Sequence, residues 1–238
     1  MKSIFVSLLC LTTITAAAQD KTSKWEKYMP MMTRSIGVSF LKFDNLNSRM
    51  AAYPQYKELK DHVWTLSMGS MHVMHNFVSQ MTVTAGASLS GDRDAKSSSL
   101  RILDGGIDLG YDVIPSDRVM LYPLVGLGGE TIHAIFRKDA TAVDFDAVAS
   151  SPTVQNNIRS IKFVNTYFTY RLGLGLGFKS PKGKGTIGIQ AGYVGGFTET
   201  GWKSGEYQQL NNSPSDKLHR FSVSLVMTGG GMMGMMKK

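Results

Sequence analysis

The chain has 238 residues, 42% of them hydrophobic, a formal net charge of +8 and a single cysteine. Length alone admits one or two soluble domains or one barrel. The positive balance comes without a basic cluster or an aromatic platform, which argues against a nucleic-acid partner. No stretch beyond the N-terminus reaches the ~18 uninterrupted apolar residues of a membrane helix.

The N-terminus reads as an export signal over residues 1–18. Lys2 supplies the positive start, Ile4 to Ile14 is largely apolar, and Ala16, Ala17 and Ala18 are the small residues a signal peptidase needs. A lipoprotein signal is the weaker reading, because Cys10 lies midway through the apolar run and lacks a small residue before it. Cleavage after Ala18 removes that cysteine and leaves a mature chain without thiol or disulfide. An exported chain with no spanning helix enters a membrane only as a closed sheet, which satisfies every backbone group in lipid.

Residues 19–32 are polar, contain Trp25 and Tyr28, and predict a periplasmic N-terminal segment. Residues 33–228 then alternate in eight stretches. Ile36, Val38 and Phe40 oppose Ser35, Gly37 and Ser39 in the first, which is followed by a long connection with a helical turn near Asn45 to Ala52. The second sets Trp64, Leu66 and Met68 against Thr65, Ser67 and Gly69. A tight turn at Met74 to Asn76 leads to the third, in which Met81, Val83 and Ala85 oppose Gln80, Thr82 and Thr84. Ser90 to Ser98 predicts a solvated charged loop.

The clearest stretch is the next hairpin. Leu103, Ile107, Leu109 and Tyr111 alternate with Asp104, Asp108 and Asp112, and only a strand separates neighbours this way. After the turn at Ile114 to Asp117, Leu121, Val125 and Leu127 oppose Tyr122, Gly126 and Glu130. Pro123 lacks the ladder N–H and predicts a local bulge. Arg137 to Arg159 is the longest connection. In the sixth stretch Val164, Phe168, Tyr170, Leu172, Leu174, Leu176 and Phe178 fall on one face, with Asn165, Tyr167 and Arg171 on the other. Ile187, Ile189, Tyr193 and Phe197 oppose Gln190 in the seventh, a polar loop runs from Gly201 to Asp216, and Phe221, Val223, Leu225 and Met227 oppose Arg220 in the eighth. Residues 229–238 form a Met-rich tail read as non-coordinating, although thioethers select a soft ion such as Cu(I).

Connections alternate long and short, which puts all long ones at one end if the strand number is eight. The expected fold is therefore all-β: an eight-stranded antiparallel up-and-down transmembrane β-barrel with a polar filled lumen. A barrel this narrow is filled by its own side chains. Asp104, Asp108 and Glu130 are expected to pair inside with Arg171 and Arg220, alongside Gln80 and Gln190. Outside, Trp64, Tyr111, Tyr170, Phe178, Tyr193 and Phe197 are candidates for aromatic girdles at the headgroup levels. His62, His72, His133 and His219 were weighed as catalytic residues, but no His–Ser pair shares an evident face with a carboxylate, so no enzyme, cofactor or metal is expected.

The GYDVIPSDRVMLYPLVGLGG hairpin, the RLGLGLGF strand and the final alternating strand resemble the small outer-membrane β-barrel domain family, which includes OmpX-like and PorT-like proteins. The resemblance covers about Thr33 to Met227. It implies an outer-membrane location, lipid and the barrel assembly machinery as partners, a monomer, and a structural or surface-contact role. The chain departs from that pattern in following its last strand with GGGMMGMMKK rather than ending on an aromatic residue. The alternatives are a soluble exported lipocalin-like barrel with an apolar ligand inside, and a lipid A-modifying enzyme.

Overall fold

The structure is a computed structural model that describes residues 30–91, 95–114, 116–180 and 185–229. Eight long strands follow one another: β1 Met31–Leu41, β2 His62–Met74, β3 Phe77–Gly91, β4 Ser97–Tyr111, β5 Val119–Arg137, β6 Ile161–Lys179, β7 Gly185–Gly196 and β8 His219–Gly229. Each pairs antiparallel with its sequence neighbours. β8 also pairs with β1, from Met32 opposite Gly229 to Leu41 opposite Arg220, and closes the sheet. No strand edge remains open along the wall, so the ladder satisfies the backbone as an apolar surround demands.

Connections 42–61, 92–96, 138–160 and 197–218 leave one end, the loop end; 75–76, 112–118 and 180–184 leave the other, the turn end. The loop end is built up. Helix α1, Asp44–Ala51, follows β1, while α2, Phe145–Ser150, and α3, Pro152–Ile158, lie in the 138–160 connection. α2 and α3 start where Asp144 and Ser151 accept first-turn N–H groups, and Pro152 at the first position of α3 gives up an N–H that had no helical partner anyway.

Four local expectations change. Ser90 to Ser98 is not a free loop, because β3 and β4 run on to Gly91 and back from Ser97. Ser97 and Ser98 are fully buried there, with Ser98 Oγ donating to the Glu58 carbonyl at 2.6 Å. The Gly201 to Asp216 loop is not wholly polar in role, since it buries Trp202 and Asp216. Val164 keeps the outer face, directly opposite His133, but is buried there, where Lys203–Ser204 pairs with β6 at Phe163 and Val164. Pro123 makes no bulge. The β5–β6 register runs without a skip from Val119 to Phe136, and the β4–β5 ladder ends at Gly110 opposite Leu124, one step before the proline. Beyond it, Val113 N–H donates to the Leu121 carbonyl, and Leu121 and Ile114 N–H donate to Asp112 Oδ1. Pro123 therefore falls in the gap between these two sets of bonds, where the β4–β5 ladder has lapsed.

Met31 and Met32 belong to β1, two residues ahead of the expected start, and Gly229 belongs to β8. The signal at 1–18, most of the 19–32 segment and the tail beyond Gly229 lie outside the described residues.

Candidate functional site

The interior is stacked in layers. Nearest the turn end, Met71, Val78, Met120, Tyr122 and Leu124 pack into a buried apolar cluster with Met31 and Val73 against it. Gly175 on β6 is what lets Tyr122 lie across the lumen, since a β-carbon there would lie 2.1 Å from the phenol Cζ. Above this cluster Gln80, Gln190 and Asp108 face a polar cavity of about 60 Å³, with Ser67, Thr84 and Ser222 around it. A cavity of that size and polarity suits ordered water, not an apolar ligand.

The next layer is charged. Arg171 Nε donates to Asp108 Oδ1 at 2.9 Å, its Nη1 donates to both Asp104 oxygens at 2.9 Å, and its Nη2 donates to Thr82 at 3.2 Å. Arg220 Nη2 reaches the same Asp104 at 2.8 Å, its Nε reaches Glu130 Oε2 at 3.0 Å, and its Nη1 reaches Ser39 at 3.3 Å. Asp104 is thus shared by two guanidinium groups, whose flat forks deliver several fixed donors each. Gly106 makes room for Arg171, for a β-carbon there would lie 2.7 Å from its Cδ. Burial makes the set interdependent: removing one partner strands the other charge away from water. Near the turn end Lys179 Nζ pairs separately with Asp112 at 3.0 Å and with the Ser116 carbonyl at 2.8 Å.

At the loop end the interior turns apolar. Val63, Leu100, Ile102, Ile132, Phe136 and Tyr167 from the strands meet Phe43, Leu46 and Met50 around α1, with Tyr56, Leu59, Trp202 and Leu218 from the connections. Asp216 ties this cap together. Its carboxylate accepts Asn45 N–H at 3.1 Å, Leu46 N–H at 3.2 Å and Trp202 Nε1–H at 2.8 Å, while its carbonyl accepts the Tyr167 hydroxyl at 3.2 Å. The carboxylate therefore sits on the N-terminus of α1, where free N–H groups and the helix dipole favour negative charge. Burial raises the pKa of Tyr56 in this cap above its ordinary value.

The outer wall is the converse of the charged layer. Leu109, Leu174 and Val223 stand exposed at 45%, 50% and 40%, whereas Asp108 is 3% exposed. On β6 the apolar outer face runs from Phe168 to Phe178, roughly 33 Å of strand and roughly 25 Å of height once tilted, the thickness of a membrane belt. Trp64, Tyr170, Tyr193 and Phe197 lie toward its loop end, with Phe168 stacked on Phe197 at 5.2 Å. Tyr111 and Phe178 close the turn end beside exposed Phe77, which pairs with Tyr111.

Of the histidines, His219 Nδ1 meets the Tyr193 hydroxyl and His133 meets the Tyr207 ring, while His72 lies toward the turn end of β2. They are not brought together. Sequence reasoning missed Ser39, Thr82 and Lys179 as partners of the buried charges, and the whole Asp216 cap. For the cap the signal was present in Leu46 and Met50, one helical turn apart, and in a lone Trp202 within a polar loop.

The family model described as "Outer membrane protein beta-barrel domain" matches residues 6–227. Comparison with curated proteins gave no match. Among solved structures, the chain is similar to Ail, the attachment invasion locus protein of Yersinia pestis, in complex with the heparin analogue sucrose octasulfate: 14% identity, TM-score 0.46, covering 84% of this chain and 97% of that one. Neisserial surface protein A follows at 7% identity and TM-score 0.49, covering 85% and 97%. The N-terminal β-barrel domain of Pseudomonas aeruginosa OprF gives 10% and 0.31, covering 83% and 99%. With an apolar belt outside, paired charges inside and a family match across most of its length, the chain belongs to the outer membrane protein β-barrel domain family and is an outer-membrane protein.

Proposed function

We propose that this is a non-catalytic, non-conducting barrel that holds a binding platform at the cell surface. The observation that carries the reading is the blocked interior: an apolar cluster at each end, with paired charges between them. Nothing the size of a solute passes such a stack, so what the loop end offers the exterior is a surface and not a pore. In planar bilayers the reconstituted protein is expected to give no stepwise conductance, and a steady open channel would sink the reading. An epitope inserted at Thr141, in the 138–160 connection, is expected to bind antibody on intact cells.

In this reading the signal at 1–18 directs export, the barrel inserts as a monomer through the assembly machinery, and the six aromatic residues rest at the two headgroup levels. A lipocalin-like role is disfavoured by a lumen lined with Gln80, Asp108, Arg171 and Gln190, since a site for an apolar ligand is lined mainly by apolar groups. Lipid A modification is disfavoured by the scattered histidines, none of which forms an ion pair with a carboxylate among the described residues.

A further inference from the structure

We propose that the loop end contains a ligand site: a cleft of about 510 Å³ between α1 and the 197–218 connection that takes an amphiphile with a flat apolar body and an anionic head. The inference rests on the platform facing the exterior and adds to that reading the chemistry of what binds there. Of the lining, Leu46, Met50, Tyr56 and Trp202 are buried, Phe163 is half-buried, and Tyr53, Ile161 and Leu210 remain exposed at 49%, 37% and 37%. The volume falls within the ~300–1,000 Å³ of small-molecule sites, and an apolar, aromatic lining with few polar groups is their usual make-up.

Arg49 supplies the charge. Among the described residues it is the one charged side chain lining the cleft and forms no ion pair; its Nη2 donates to the Asn212 carbonyl at 3.1 Å, a neutral partner. An anionic group at the mouth would meet a guanidinium already held in place by that bond.

Both walls are fixed to the barrel before any ligand arrives. α1 is held at its first turn by the Asp216 carboxylate, and the Asn47 side chain exchanges bonds with both the N–H and the carbonyl of Leu59. On the facing wall Trp202 Nε1–H is held by Asp216, and Ser213 Oγ donates to the Trp202 carbonyl. A cleft shaped in advance spares the ligand the cost of ordering it. Because the lumen beneath is shut, the ligand reaches this site from outside without crossing the barrel.

The test is calorimetric titration of the full barrel in lipid nanodiscs with 2-naphthoate and, separately, with uncharged 2-naphthylmethanol, with empty nanodiscs subtracted. Saturable naphthoate binding below about 1 mM is expected. Leu210→Glu at the rim is expected to weaken both probes at least tenfold, on the order of 1.4 kcal/mol. Arg49→Gln is expected to weaken naphthoate about tenfold and naphthylmethanol less than twofold. No saturable binding by the unmodified protein, or unchanged affinity in Leu210→Glu, would overturn the site. Equal responses of the two probes to Arg49→Gln would overturn the anionic head. The Thr141 epitope separates the two readings: antibody binding on intact cells without naphthoate binding overturns the cleft alone, and an inaccessible epitope overturns surface display as well.

Discussion

The charged middle of the barrel and its loop end fill the same inward face in opposite ways. In the belt, Leu109 and Leu174 face out while Asp104, Asp108 and Arg171 face in; at the loop end, Ile102, Ile132 and Phe136 face in and pack with Phe43, Leu46 and Trp202 from the connections. β5 and β6 are 19 residues long, about twice the ~10 that a tilted strand needs to cross a bilayer, so their remainder stands in water and packs as a soluble protein does. The inward face is an apolar core above the belt; within the belt it carries the paired charges, with a second apolar cluster toward the turn end.

The charged layer is where a single substitution does the most damage. Arg220→Met strands Glu130 and half of the Asp104 pairing, and a loss of about 3–5 kcal/mol is expected, read as a lower unfolding midpoint by heat-modifiability on gels. Arg171→Met is expected to act in the same direction, and an unchanged midpoint would remove the paired-charge account of the lumen. Trp202→Ala empties the cap and is expected to cost a similar ~3–5 kcal/mol locally, but the damage should stay above the belt. Limited proteolysis of the 42–61 and 197–218 connections should accelerate while the heat-modifiable core persists; if both melt together, the halves are one unit.

Leu174→Lys, near the middle of the outer face, is expected to destabilise by about 2–4 kcal/mol in lipid, whereas the same change at exposed Ile161, above the belt, should cost little. Equal costs would place the boundary elsewhere. The smallest effect is expected from Asp216→Asn, which keeps the shape but removes the charge on the α1 N-terminus, at about 1–2 kcal/mol, detected as faster hydrogen exchange at Asn45 and Leu46.

The belt was legible because period-two alternation reports directly on a two-sided environment: Asp104, Asp108 and Arg171 each sit between apolar neighbours and can belong only to the opposite face. What alternation does not encode is which inward groups meet. That Arg171 takes Asp108 together with Asp104, and that Arg220 shares Asp104 with Glu130, follows from closure and register, which bring β4, β5, β6 and β8 around one axis. The cap was nearly invisible. Trp202 is an isolated apolar residue in a loop read as polar, and Phe43 and Leu218 sit where connections meet strands; they become a core only when connections far apart in sequence are stacked over one mouth. Ser97 and Ser98 misled for the same reason: small hydroxyl residues look solvated until a neighbouring segment covers them.

The Asp216 clasp has a consequence for how the ring is completed. It joins the segment just after the first strand to the segment just before the last, and those are the two strands whose pairing closes the barrel. The clasp and the β1–β8 ladder thus hold the same two ends of the ribbon together, one above the wall and one within it.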